Sequence, residues 1–215
     1  MTQAQPQIEF WFDFGSNYSY LAAMRIEALA DRAGVKVLWR PFMLGPIFQS
    51  FGWSSSPFVL QKEKGDYVWR DMERLAHKYG VGWQRPTTFP RAAVYPMRVA
   101  VAHQEAPWVA SFCKAIFSLN FAQDQDINDN ATCVRVLDSL GQPGAQLVDE
   151  AQTDANKAKL RLQSEQARQR RIFGAPTLFA RSELFWGNDR LEDAIEFATG
   201  TTEPLSRRSP PTGPV

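Results

Sequence analysis

Residues 8–39 read IEFWFDFGSNYSYLAAMRIEALADRAGVKVLW, and the fold class is decided inside this stretch. The opening IEFWFD is apolar and aromatic over too short a length for a helix and suits a buried strand. Gly15 and Ser16 interrupt it. From residue 16 to 33 the apolar Tyr18, Leu21, Ala22 and Leu29 recur at helical spacing, with Ser16 a natural N-cap and Gly34 a natural stop. Residues 35–39, VKVLW, are again β-branched and apolar, so the stretch reads as one βαβ crossover between parallel strands. An α/β fold is expected.

Working outward, the period becomes helical between Pro41 and about Gln152. Val68, Met72, Leu75, Ala76 and Tyr79 follow it, as do Val99 with Ala102 and Phe112 with Ala115, Ile116 and Leu119. A helix-rich stretch over 154–171 is followed by Gly174, Ala175 and Pro176. Apolar runs at 177–180 and 184–186 then flank the polar residues 181–183, a hairpin pattern. Residues 187–189 open a last helix over 190–198. The tail from residue 201 has four prolines and no periodicity, and is expected to be disordered. The chain is read as a thioredoxin-like α/β fold with a large inserted all-helical domain. Residues 7–41 form the first half (βαβ), 42–152 the helical insertion, 153–200 the second half (αββα) and 201–215 the tail.

The 215 residues are 44% hydrophobic and 22% charged, too apolar for a disordered chain. Lys plus Arg number 24 against 23 Asp plus Glu, so a net charge of +1 provides no general field for nucleic acid or anionic membrane, and neither is expected as a partner. Cys113 and Cys133 stand far apart without a CxxC pair and read as packed thiols. His77 and His103 are the two histidines, which excludes a multi-histidine metal centre, and no metal is expected. The first ten residues lack the basic-then-apolar order of a signal peptide, and no apolar run approaches the roughly 20 residues that span a bilayer. A cytoplasmic location is expected.

Four segments carry candidate chemistry. Ser16 stands where free N–H groups and the positive end of a helix favour an anion, and its hydroxyl can donate to a bound thiolate. Gly174-Ala175-Pro176-Thr177 precedes a strand, and a cis bond at Pro176 would open the backbone of Ala175 to an extended peptide. Gly187-Asn188-Asp189-Arg190 offers capping side chains, free N–H groups and a carboxylate, which together match the two charges of an amino-acid terminus. Lys64, in the run KGDY, is a point charge suited to a carboxylate. Taken singly, each has an ordinary structural reading: an N-cap, a trans turn, a capped surface helix and a solvated lysine. Arg168, Arg170 and Arg171 likewise read as a wet helix face.

Their order is more informative than any one of them. FDFGSNYSYL, RPFMLGPIF, KGDYVWRDMERLA, FGAPT and FWGNDRLEDA together resemble the 2-hydroxychromene-2-carboxylate isomerases over roughly residues 8–198. That family stands with the kappa-class glutathione transferases in the DsbA-like group of thioredoxin folds and is usually dimeric. The resemblance implies glutathione as cofactor, a small aromatic carboxylate as substrate and a homodimer. It makes Ser16 the catalytic residue, holding the glutathione sulfur as thiolate where disulfide oxidoreductases of this fold carry the first cysteine of CxxC. It makes Pro176 the cis-proline, Ala175 the backbone partner of the cysteinyl part of glutathione, and Asn188 and Asp189 the receivers of its γ-glutamyl end. Lys64 falls at the lysine associated with the glycine carboxylate, Asp71 at an acidic residue near the site, and Arg190 stands adjacent.

Two positions depart from the family pattern. Asn17 replaces the usual proline after the serine, and the family's asparagine in the loop after the second strand is absent where Trp53 and Ser54 stand. The implied reaction interconverts 2-hydroxychromene-2-carboxylate and trans-o-hydroxybenzylidenepyruvate in aromatic hydrocarbon degradation, by reversible thiolate addition. Phe14, Trp39 and Phe48 are expected as walls for the flat substrate. The alternatives are a kappa-like transferase conjugating electrophiles and a non-catalytic glutathione-binding module. A disulfide oxidoreductase is disfavoured, because Ser16 and Ser19 stand where two cysteines would be required.

Overall fold

The computed structural model describes residues 5–200; the tail expected over 201–215 lies outside them. The decisive stretch forms β1 (Gln7–Phe12), α1 (Asn17–Arg32) and β2 (Lys36–Pro41), with β1 and β2 parallel and Phe10 opposite Trp39. Seven helices follow: α2 (Leu44–Ser50), α3 (Pro57–Leu60), α4 (Lys62–Tyr79), α5 (Val94–Ala102), α6 (Val109–Phe121), α7 (Asn130–Ser139) and α8 (Gly144–Ala151). The chain then returns through α9 (Asp154–Gln169), the hairpin β3 (Thr177–Ala180) and β4 (Glu183–Trp186), a 3-10 turn (Asn188–Arg190) and α10 (Leu191–Thr199). The sheet order is β2-β1-β3-β4, with β3 antiparallel to both β1 and β4.

The period of two along β1 divides its side chains between two faces. Ile8, Phe10 and Phe12 are fully buried in the main core, with Tyr20, Leu21 and Ile26 of α1 and Phe117 and Phe121 of α6. Trp11 points to the opposite face and joins a smaller cluster with Phe42, Ile47, Ala167 of α9, Ile172 and Phe179. That second face is covered only at the C-terminal end of β1, for Glu9 on it is half-buried and Gln7 exposed, so the sequence alternates up to Glu9 and is wholly apolar from Phe10. Removing Phe10 or Phe12 to alanine costs about 3–5 kcal/mol by the usual core scale. The helices of the middle section contribute to the same main cluster as the sheet, through Met72, Val99, Ile116 and Leu137.

α1 ends with Ala33 as C-cap and Gly34 at φ +65°, the left-handed turn that its glycine anticipates. Among the described residues no helix is long and apolar enough to cross a membrane. Cys113 and Cys133 are buried free thiols, and burial pushes the Cys133 thiol up to about 12.

Candidate functional site

The strand-to-helix loop places Ser16 at the N-terminus of α1, in extended conformation and only 7% exposed. Its hydroxyl has two roles. The oxygen accepts from the Ser19 amide at 3.2 Å, capping the helix, while the hydroxyl donates to the carbonyl of Ala175 at 2.9 Å. This second bond spans 159 residues and joins the first βα unit to the loop before β3. The Ala175–Pro176 bond is cis. Among the described residues, the amide N–H groups of Asn17 and Ala175 have no hydrogen-bond partner. The positive end of α1, two free N–H groups and a hydroxyl thus converge on one spot, which suits an anionic or strongly accepting atom.

Two further polar atoms beside Ser16 are unpaired. Of the four buried side-chain polar atoms without a partner among the described residues, Asn17 Nδ2 and Ser19 Oγ are two. Asn17 spends its Oδ1 on the amide of Tyr18 at 3.0 Å.

The loop is held from below by Asp13, which the sequence reading passed over as a strand end. Its carboxylate accepts from the amide of Gly15 at 2.7 Å and from that of Leu44, the first residue of α2, at 2.8 Å. Burial raises its pKa, opposed by these N–H donors from Leu44 and Gly15. Asn120 of α6 adds a donor to the Phe14 carbonyl at 3.0 Å.

Tyr18, likewise unforeseen, links Ser16's helix to α4. Its hydroxyl donates to Asp71 at 2.9 Å, and its ring lies edge-on to Phe58 with centroids 6.1 Å apart. Burial first, then the bond to Asp71, drives the phenol pKa up, with smaller pushes from the negative charges of Asp71, Tyr67 and Asp189. Asp71 therefore stands beside the first turn of α1, and Asp189 is close enough to act on the same phenol. Lys64 lies two turns before Asp71 on α4 and is exposed. It makes no hydrogen bond or ion pair with the other candidates.

Asn188 and Asp189 divide in role. Asn188 is 2% exposed, and its Oδ1 accepts from Arg25 of α1 at 2.7 Å. Arg25 also stacks 3.7 Å over the Tyr79 ring and pairs with Glu192. Asp189 keeps an exposed carboxylate, with Arg190 at 3.4 Å. Neither residue caps α10, contrary to the sequence expectation: Arg190 is the N-cap, and its side chain makes no capping bond. The reason is that the 3-10 turn intervenes and Arg25 has claimed the Asn188 oxygen. Gly187 is needed there, since its φ is +110° and a Cβ would stand 2.4 Å from Asp189 Oδ1.

Two expected substrate walls are corrected. Phe14 is fully buried against Phe12 and Phe117, and Trp39 is 4% exposed against Phe10 and Phe12, so both are core. Phe48 is partly exposed and packs on Trp53. Arg170 is also no simple wet residue, since it pairs with Glu9 and stacks 3.6 Å over Phe179.

The chain is similar to known proteins along most of its length. A family model described as a DSBA-like thioredoxin domain matches residues 7–196. A 2-hydroxychromene-2-carboxylate isomerase of Sphingobium xenophagum is 31% identical over 189 residues, covering 86% of this chain and 94% of the relative. Glutathione S-transferase kappa 1 of Caenorhabditis elegans is 21% identical, covering 86% and 87% of the two chains. A solved 2-hydroxychromene-2-carboxylate isomerase superimposes with a TM-score of 0.78 at 25% identity, covering 91% of this chain and 95% of that one.

Proposed function

The chain belongs to the DSBA-like thioredoxin domain family, with the 2-hydroxychromene-2-carboxylate isomerases, a group of enzymes; from that premise we propose that it is a glutathione-dependent isomerase. Its reaction interconverts 2-hydroxychromene-2-carboxylate and trans-o-hydroxybenzylidenepyruvate. The observation that carries this reading is the convergence of the Ser16 hydroxyl, the N-terminus of α1 and the Ala175 backbone at the cis-Pro176 loop.

The donor set fits glutathione. A peptide laid along the Ala175 backbone meets an unpaired N–H, and the exposed Lys64 and Asp189 offer opposite charges for a carboxylate and an ammonium group. When bound, glutathione supplies a sulfur nucleophile that adds reversibly to a conjugated carbon and departs unchanged after bond rotation. The protein's own part is electrostatic. Ser16 transfers its hydrogen bond from the Ala175 carbonyl to the sulfur, and the free N–H groups at the start of α1 add to the field that favours the thiolate. Asp13 keeps that loop in place through Gly15 and Leu44, and Tyr18 with Asp71 ties the helix start to α4. Asn188 supports this end of the site through Arg25, while Asp189 makes the outward contact. A cytoplasmic homodimer, with residues 42–152 forming a helical domain set into the thioredoxin-like unit, belongs to the same proposal.

The test is the ultraviolet spectrum of 2-hydroxychromene-2-carboxylate mixed with the protein and catalytic glutathione. Rapid approach to the isomer equilibrium with glutathione undiminished supports the isomerase. The kappa-class relative favours a second reading, a transferase, which would consume glutathione one for one. Glutathione binding without turnover of either kind would leave a binding module.

A further inference from the structure

Outside the residues assigned above, helices α2, α5 and α9 border a solvent-open cavity of about 300 Å³. Its apolar surface comes from Met43, Pro46, Ile47, Val94 and Leu160. Four cations line it, Arg98 from α5 and Lys157, Arg161 and Arg168 from α9, against one carboxylate, Glu165. The three α9 cations follow helical spacing and share a face with Leu160 and Ser164.

The cations are not equally committed. Arg168 holds Glu165 through two bonds of 2.8 and 2.6 Å, which neutralises the one acid of the lining. Lys157 pairs with Asp154, whose side chain is 97% exposed, so water weakens that pair. Arg98 donates to the Gln152 amide oxygen at 2.8 Å and has no carboxylate partner among the described residues. Arg161 has no hydrogen bond or ion pair among them. Ser164 is spent internally, donating to Leu160 O and accepting from the Met43 amide. The cavity therefore joins an apolar floor to two guanidinium groups whose charge no carboxylate among the described residues neutralises, Arg161 without a bonded partner and Arg98 held only by the neutral Gln152 and, at 5.7 Å, the Tyr95 ring, at the lower end of the usual size for small-molecule pockets.

We propose that the cavity between α2, α5 and α9 is a second binding site, for a compact organic anion with a flat apolar body and a carboxylate. A purely inorganic anion would leave the apolar floor wet, and a neutral arene would leave Arg98 and Arg161 unused. The site is separate from the proposed glutathione cleft, because none of Ser16, Lys64, Asp71, Ala175, Asn188 or Asp189 lines it. Asp13 joins the two, since it holds both Gly15 beside Ser16 and Leu44 beside Met43.

The experiment titrates the full chain with 2-naphthoate by calorimetry, with 2-naphthalenemethanol and sulfate as controls, and repeats the titration in saturating glutathione. One naphthoate per chain is expected, undisplaced by glutathione, with both controls roughly tenfold weaker or more. Arg161→Ala, an exposed change on α9 that spares the fold, is expected to weaken naphthoate about tenfold and to leave glutathione binding unchanged. Arg98→Ala is expected to act in the same direction. Absence of naphthoate binding, displacement by glutathione, or unchanged affinity in Arg161→Ala would each overturn the proposal. Glutathione binding and turnover, measured on the same samples, report separately on the isomerase reading.

Discussion

Two glycine-to-alanine changes, chemically identical, are expected to differ in their effect on stability. Gly65 is the fourth residue of α4, and a Cβ there would stand 2.3 Å from the carbonyl oxygen of Phe58 in α3. That oxygen is backbone and cannot rotate aside, so α3 must move by more than an ångström to reach ordinary contact. Gly45, in α2, has nothing within 4 Å of the same added atom. Within a helix alanine is favoured over glycine by up to about 1 kcal/mol. At 45 no packing opposes this gain, but Pro46 follows directly and disfavours the helical backbone for a residue that carries a Cβ, so Gly45→Ala should lie within about 0.5 kcal/mol of neutral. At 65 overpacking of about 1–3 kcal/mol opposes it, so Gly65→Ala should destabilise by about 1–2 kcal/mol. For a chain of this length each kcal/mol is about 2–4 °C in Tm. The displacement also reaches the site, because Phe58 packs on Tyr18, which holds Asp71. Urea unfolding of the two variants, with glutathione affinity by calorimetry, should show lower stability and weaker binding for Gly65→Ala alone. A Gly65→Ala protein as stable as wild type would refute the close α3–α4 approach and the argument built on it.

Other perturbations separate the roles of the supporting residues. Arg25→Ala leaves the buried Asn188 Oδ1 without its donor and removes the stack on Tyr79, so thermal or urea unfolding should show a loss of about 2–4 kcal/mol; a loss below about 0.5 kcal/mol, typical of a plain surface change, would contradict the clamp. Asn17→Pro removes the unpaired Nδ2 and places proline where φ is pre-set for a helix start, at the cost of one bond to the Tyr18 amide. A net stabilisation of about 1 kcal/mol is expected, and denaturant midpoints will read it. Asp13 has a folded pKa raised by burial above its ordinary 3.8, so the folded state binds the extra proton between those two values. Its contribution to stability is complete below pH 3.8 and is lost as pH rises through the raised value. Wild type should therefore gain stability relative to Asp13→Asn on acidification through that window, whereas a gap that narrows on acidification would reverse the assigned cause.

The parts of the fold that were legible in the sequence are those set by local pattern. β1, α1 and β2 follow from a short aromatic run, a helical period between Ser16 and Gly34 and a second β-branched run. The hairpin at 177–186 follows from two apolar runs around a polar turn. The resemblance supplied the alignment that periodicity could not, linking Ser16 with Ala175, and the structure brings those two into contact. The supporting shell was not legible. Asp13 reaches Leu44 across 31 residues and Arg25 reaches Asn188 across 163, and no local spacing announces such pairs. The same distant claim on Asn188 explains why capping of α10 was misread. Phe14 and Trp39 were misplaced for a different reason: aromatic residues beside a site build cores and line pockets equally well, and burial alone separates the two.

The central claim is that Ser16 holds the sulfur of bound glutathione as thiolate, and the direct measurement is the pKa of that thiol in the complex, read from thiolate absorbance during pH titration. A hydrogen bond to a charged group contributes about 1.5–3 kcal/mol, equivalent to about one to two pKa units. The account predicts a bound thiol titrating below free glutathione in wild type, and about one to two units higher in Ser16→Ala than in wild type. Ser16→Ala also loses its cap on Ser19, about 1 kcal/mol of stability that unfolding reads separately. An unchanged thiol pKa in a folded Ser16→Ala protein that still binds glutathione would contradict the account.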